Sequence, residues 1–101
     1  MTFHFQLYIV GEHYHNQVAI SNLQNLNKLY CQNQAKIEVI DLAKYPEIAI
    51  KARVMATPTL VKVKPSPMQR VIGDLSDIEK VAIRLGLLNT HSHILNSNSS
   101  Y

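Results

Sequence analysis

Cys31 is the chain's single thiol. A lone thiolate can attack an electrophile, but it cannot close an intramolecular disulfide or form a Cys-x-x-Cys redox pair. It follows an apolar-periodic stretch, where a small half-buried residue is the expected role. His13 and His15, like His91 and His93, are spaced as H-x-H. On a strand that spacing aims both imidazoles at one side, as some metal sites require. Both pairs fall in polar sequence that reads as loop and tail, so no metal or cofactor is expected. Asp41 and Asp74 could be imagined as an acid–base carboxylate pair, but no third group accompanies them, and turn or cap roles fit both. Gly73–Ser76 (GDLS) reads as a turn into a capped helix rather than a phosphate loop. Tyr8, Tyr14 and Tyr30 lack the interleaved basic residues of a nucleic-acid surface.

The elements that must position these residues alternate in type. Phe3–Val10 (FHFQLYIV) begins with alternation and ends as an apolar run, which predicts a strand. Gly11–Asn16 reads as a polar loop. From Gln17 to Tyr30, the residues Ala19, Ile20, Leu23, Leu26 and Tyr30 form a helical stripe. Lys36–Leu42 (KIEVIDL) alternates as a second strand, and Pro46–Ala52 is a short helix with proline in its first turn. Thr59–Lys64 and Gln69–Ile72 are expected to pair as an antiparallel hairpin across Pro65-Ser66-Pro67. Ser76 and Glu79 have the spacing of a capping box, and Ile78, Val81, Ala82, Leu85 and Leu88 continue a last helix, expected over Ser76–Leu87. Residues 1–88 thus read as one domain, and the Asn/Ser-rich 89–101 as a fraying polar tail.

The order β-α-β-α-β-β-α, with an opening parallel βαβ unit followed by a hairpin and a helix, is the thioredoxin-like α/β arrangement. In that fold a proline, commonly cis, stands before the third strand, so a cis Thr57-Pro58 bond is expected. The paired cysteines of thioredoxins would lie where this chain has GEHYHNQ (Gly11–Gln17), which holds no thiol. The bounds are those of a modest globular domain: 101 residues, 47% hydrophobic and 17% charged. The net charge of +3 is mild and permits an acidic protein partner without announcing a nucleic-acid binder. No signal peptide and no membrane-spanning run is read, so a cytoplasmic protein is expected.

Several stretches together resemble the KaiB family, the small partners of the KaiC ATPase in the bacterial clock operon. They are LYIVG at Leu7–Gly11, EVIDL at Glu38–Leu42, Pro46, ATPTLVKV at Ala56–Val63, Pro65, Pro67, and RVIGDLSDIEKVAI at Arg70–Ile83. The pattern lies along Leu7–Leu88 without a gap. The N-terminal sensory domain of the SasA histidine kinase shares the fold and a similar proline segment.

The resemblance implies a non-enzymatic regulatory protein. It would dock on a KaiC-like ATPase ring and modulate its phosphorylation or ATPase cycle in a clock or clock-derived timing or stress system. A sensor histidine kinase is a further partner, and self-association as dimer or tetramer is implied. The alternative is a diverged thioredoxin-like adaptor or stress-response protein that no longer binds KaiC. KaiB-like proteins are metamorphic: a thioredoxin-like monomer alternates with a homotetramer whose C-terminal half is rearranged. Thr57, Pro58, Pro65, Pro67, Arg84 and Gly86 lie in that half. Relatives usually carry Gly at the position of Arg84 and Asp at that of Gly86. Arg favours helix over an interior Gly by about 0.8 kcal/mol, and Gly near a helix end is a good cap, so the thioredoxin-like state is expected here. The partner surface implied is the second helix and its neighbours, with Glu47, Ile50 and the family's basic positions Arg53 and Lys62. Glu38 and Val18 stand where many relatives carry Lys and Arg.

Overall fold

The computed structural model describes residues 2–88. Four strands and three helices follow in the order β1 (His4–Ile9), α1 (Tyr14–Tyr30), β2 (Lys36–Asp41), α2 (Pro46–Lys51), β3 (Thr59–Lys64), β4 (Gln69–Ile72) and α3 (Ile78–Arg84). The sheet order is β2-β1-β3-β4. β1 pairs parallel with β2 and antiparallel with β3, which pairs antiparallel with β4. This is the thioredoxin-like arrangement expected from the element order. The segment expected to form one helix from Ser76 is helical only over Ile78–Arg84, and Leu85–Leu88 is not strand.

The period-two alternation of the strands divides the molecule. Phe5, Leu7 and Ile9 of β1 and Leu60 of β3 pack with Ala19, Leu23 and Leu26 of α1 and Val81, Ala82 and Leu85 around α3. The opposite face holds a smaller cluster, in which Tyr8, Leu42 and Val61 meet Ile48, Ala49 and Ala52 of the α2 region. β3 is central, and Thr59 to Lys62 are all buried because both faces are covered. Pro58 therefore stands one residue before the strand. Its carbonyl accepts from Gly73 N–H (2.9 Å), which extends the β3–β4 pairing by one bond, while its missing N–H cannot return the reciprocal bond, so the ladder stops there. The Thr57-Pro58 bond is cis as expected, and Lys64-Pro65 and Ser66-Pro67 are cis as well.

Two helix boundaries differ from the sequence expectation. α1 starts at Tyr14, three residues before the apolar stripe, because Asn16 is buried and its side-chain amide donates to Val10 O (2.9 Å) and Gly11 O (2.8 Å). The first turn is thus tied back to the end of β1 by a polar residue. At α3 the cap is Asp77 rather than Ser76: Asp77 Oδ1 accepts from Lys80 N–H (3.1 Å). Ser76 N–H instead donates to Asp74 Oδ1 (3.0 Å) in the preceding turn. α3 closes with a left-handed residue, Gly86 (φ +74°), flanked by bonds from Gly86 N–H to Ile83 O (3.1 Å) and Leu87 N–H to Ala82 O (2.8 Å). That paired pattern is a Schellman ending, and it stops the helix before Leu87.

Candidate functional site

α2 has six residues and no fully buried one. It rests on the sheet through Ile48, Ala49 and Ala52 and turns its other side to solvent. Glu47 and Lys51 are exposed, Ile50 is 81% exposed, and Met55 just beyond is 96% exposed. Apolar residues so open contribute little to the stability of the monomer.

The end of α2 is built like the end of α3. Val54 N–H donates to Ala49 O (2.9 Å) and Arg53 N–H to Ile50 O (3.2 Å), with Arg53 at the left-handed position (φ +56°). A side chain in that region costs about 1 kcal/mol that glycine would not, so the fold carries a local cost to hold an exposed guanidinium at this corner. Arg70 of β4 braces the same turn: its guanidinium donates to Arg53 O (3.0 Å) and also to Ala52 O. Beside it lies a hollow of about 240 Å³ lined by Tyr8, Val61, Val63, Met68, Arg53 and Arg70 among others. Among the described residues no carboxylate pairs with Lys51, Arg53 or Arg70, and the single ion-pair contact is His4 with Glu38. The α2 corner therefore combines exposed apolar side chains with uncompensated positive charge.

Glu38, at the far side of this face, is held by His4 Nε2 and by Gln6 Nε2 (3.4 Å). The hydrogen bond from His4, then that from Gln6, keeps its carboxyl below the usual glutamate range. Gln6 also accepts from the Tyr8 hydroxyl (2.8 Å), and burial pushes the Tyr8 pKa up.

Lys62 does not join Arg53. It is only 4% exposed and shares the α1/α3 side of β3 with Leu60. A Cβ built on Gly86 would lie 3.7 Å from Lys62 Nζ, so the ammonium sits by the C-terminal turn of α3. Gln69, with its amide nitrogen facing the helix, donates there to Arg84 O (2.8 Å) and Leu85 O (3.2 Å). Lys62 and Gly86, assigned to separate roles from sequence, are thus neighbours. Arg84 is exposed at the last position of α3. Thr57 and Pro67 are exposed, Pro58 is buried and Pro65 half-buried. Val18 is half-buried on α1. The residues that sequence reasoning missed at the α2 corner are Lys51, Met55, Met68 and Arg70. For Arg70 a signal existed: Arg70 and Ile72 share a strand parity opposite to Val71, which marks a half-open face.

The remaining chemistry-bearing residues have local roles. Asp41 Oδ1 accepts from Gly11 N–H (3.1 Å) and Ala43 N–H (2.9 Å), which lowers its pKa. Cys31 is buried at the end of α1, and burial raises its pKa. His13 precedes α1 and His15 lies in its first turn, while His91 and His93 fall outside the described residues. Among the described residues no group of three His, Cys, Asp or Glu side chains could hold a metal ion, and no helix is long and apolar enough to cross a membrane.

A family model described as the KaiB domain matches residues 6–87. The chain belongs to the KaiB family. It is similar to the circadian clock oscillator protein KaiB of Synechococcus elongatus, at 42% identity over 87 residues, covering 86% of this chain and 85% of that one. The KaiB of Microcystis aeruginosa is 41% identical over 87 residues, with 86% and 84% covered. KaiB is a clock protein and not an enzyme. Among solved structures, the N-terminal domain of Synechococcus elongatus SasA is similar at a TM-score of 0.69 and 25% identity, covering 88% of both chains. Mitochondrial thioredoxin 3 from Saccharomyces cerevisiae, at a TM-score of 0.66 and 18% identity over 85% of this chain and 78% of that one, shares the fold.

Proposed function

We propose that this KaiB-family chain is a cytoplasmic regulatory protein that docks through α2 on a KaiC-like ATPase ring and modulates the ring's cycle. The observation that carries this reading is the α2 corner: Ile50 and Met55 lie open beside Lys51 and Arg53, with no carboxylate paired to either charge among the described residues. Ile50 supplies apolar contact, Glu47 and Arg53 set register, and Arg53 with Lys51 steers an acidic partner surface. Lys62, buried on the other face, acts on docking only through the shape of the fold. The likeness to the SasA domain supports competition for the same ring between this chain and a sensor histidine kinase. Self-association, in the rearranged tetramer of the family, is the resting alternative to docking, with Thr57, Pro58, Pro65, Pro67, Arg84 and Gly86 in the half that differs.

The test is Arg53→Glu against the cognate ATPase ring. Association should weaken at low salt, and the loss should shrink as salt rises, because exposed charges are screened over about 8 Å at physiological ionic strength. Unchanged affinity of a folded variant at low salt would move the interface away from α2.

A further inference from the structure

β4 ends the sheet, and the described residues place no strand beyond it. Its pairing fixes which backbone groups are left over. Gly73 N–H bonds to Pro58 O, and the register continues as Thr59↔Ile72, Leu60↔Val71, Val61↔Arg70 and Lys62↔Gln69. Bonded and non-bonded pairs alternate in an antiparallel ladder, so Val71 and Gln69 point their N–H and C=O groups at β3. Arg70 and Ile72 point theirs outward. Among the described residues no other backbone bond reaches either residue.

The edge is short and carries one charge, Arg70, but no proline lies within it and open apolar side chains flank it. Natural edges are commonly blunted by charge, proline or cover. Here Ile72 is 67% exposed and Met68, just before the strand, is 60% exposed. On the α3 side a groove of about 250 Å³ opens at the end of the strand, between Val71 and Ile72, the following loop and α3, with Val71, Leu75 and Val81 as its apolar part and Lys80 and Arg84 beside them. Asp74 and Asp77 also border it, but each is turned into the cap of the preceding loop or helix, accepting from Ser76 and Lys80 N–H. Neither Lys80 nor Arg84 meets a carboxylate among the described residues. On the α2 side stands Arg70, bonded only to neutral carbonyls. Cations thus stand on both sides of the strand, Arg70 on one and Lys80 and Arg84 on the other, where Asp74 and Asp77 offset them. The opposite edge, β2, carries Glu38 and Asp41 beside Lys36.

We propose that the β4 edge is a second binding site, which accepts an extended, acidic segment of a partner protein as a fifth strand. Main-chain bonds to Arg70 and Ile72 hold the segment. Its alternate side chains fall into the α3-side groove and alongside Arg70, so apolar residues meet Val71, Leu75 and Val81 while carboxylates reach Lys80, Arg84 or Arg70. The charge at β2 turns the same segment away from the other edge. This site shares Arg70 and Met68 with the rim of the α2 corner, but the proposal does not require docking through α2.

The test uses a terminally blocked peptide of alternating valine and glutamate, with a valine and lysine peptide as the control, and follows amide hydrogen exchange residue by residue by NMR. The glutamate peptide should slow exchange at Arg70 and Ile72 and leave Gln69 and Val71, already bonded to β3, unchanged. Ile72→Pro removes an outward donor and no ladder bond, so it should abolish this protection while β3 stays protected. The double variant Lys80→Glu with Arg84→Glu, which leaves the strand intact, should lose the protection too, and the loss is read even if the proline variant fails to fold. No protection, equal protection by the lysine peptide, or protection at β2 instead would overturn the proposal. So would slowing at Arg70 and Ile72 that grows with protein concentration in the absence of peptide, because the occupant would then be a second copy of the chain.

Discussion

The two faces of the sheet have been put to different uses. Between the sheet and helices α1 and α3, Phe5, Leu7, Leu23, Leu26, Leu60 and Leu85 are almost fully withdrawn from water. On the other face one short helix covers part of the surface, and Ile50, Met55, Met68 and Ile72 remain open. Burial of apolar area is what stabilises a small domain, so the first face holds the fold. The second is free to vary in side-chain chemistry with little cost to stability. A domain of this size can present a contact surface because its core is concentrated on one side.

The sharpest way to break this contrast is to truncate one apolar residue on each face. Leu23→Ala should lower unfolding free energy by about 2–5 kcal/mol through lost burial and a cavity, whereas Ile50→Ala should stay within about 0.5 kcal/mol, both measured by chemical denaturation. Comparable losses at the two positions would mean that the α2 face is structural as well. Next in size is Gly86→Ala. The new methyl has room, with nothing nearer than Lys62 Nζ at 3.7 Å, so only the left-handed backbone is penalised, by about 1–2 kcal/mol. Arg53→Gly should run the other way. It relieves the same backbone conformation at the end of α2 and should raise stability by about 1 kcal/mol while weakening docking on the ATPase ring. A variant that is more stable yet binds less well would separate the two uses of the molecule at one residue.

The smallest effect expected is in the acid limb of stability. Asp41 has its folded pKa lowered by the Gly11 and Ala43 N–H bonds. Its contribution is fully present above the unfolded pKa of an aspartate and is lost as pH falls through the lower, folded value. Stability of Asp41→Ala should therefore fall less steeply than that of the parent over that acidic window, and the two curves should converge at its lower end. An unchanged slope would show that the bonds to Asp41 do not depend on its charge.

Much of this layout was readable from residue order. Thr59–Lys64 and Gln69–Ile72 match their expected spans because prolines bracket the hairpin and alternation marks each strand. Helix ends were less legible. The start of α1 depends on Asn16 reaching carbonyls five and six residues back, a contact that no apolar stripe reports. The end of α3 is set by one left-handed glycine, and its beginning by Asp77, although Ser76 has the better-known spacing to Glu79. Of the residues expected at the partner surface, Glu47, Ile50 and Arg53 lie exposed around α2, whereas Lys62 is buried on the other face. Its parity with Leu60 was visible, but which side of β3 faces α2 follows from the sheet order, which the sequence does not spell out. Arg70 was missed as a site residue because its role is to contact backbone carbonyls 17 and 18 residues away.

Arg70 has a consequence for how two partners would sense one another. One guanidinium is shared between the last turn of the docking helix and the outermost strand. A ligand that draws this side chain toward the strand loosens the turn that presents Arg53, and a ligand that stiffens the turn withholds the side chain from the strand. Thermodynamic reciprocity then requires the two affinities to change by the same factor, whichever partner arrives first. With both proposed sites occupied, this one side chain would couple the α2 corner to the sheet edge.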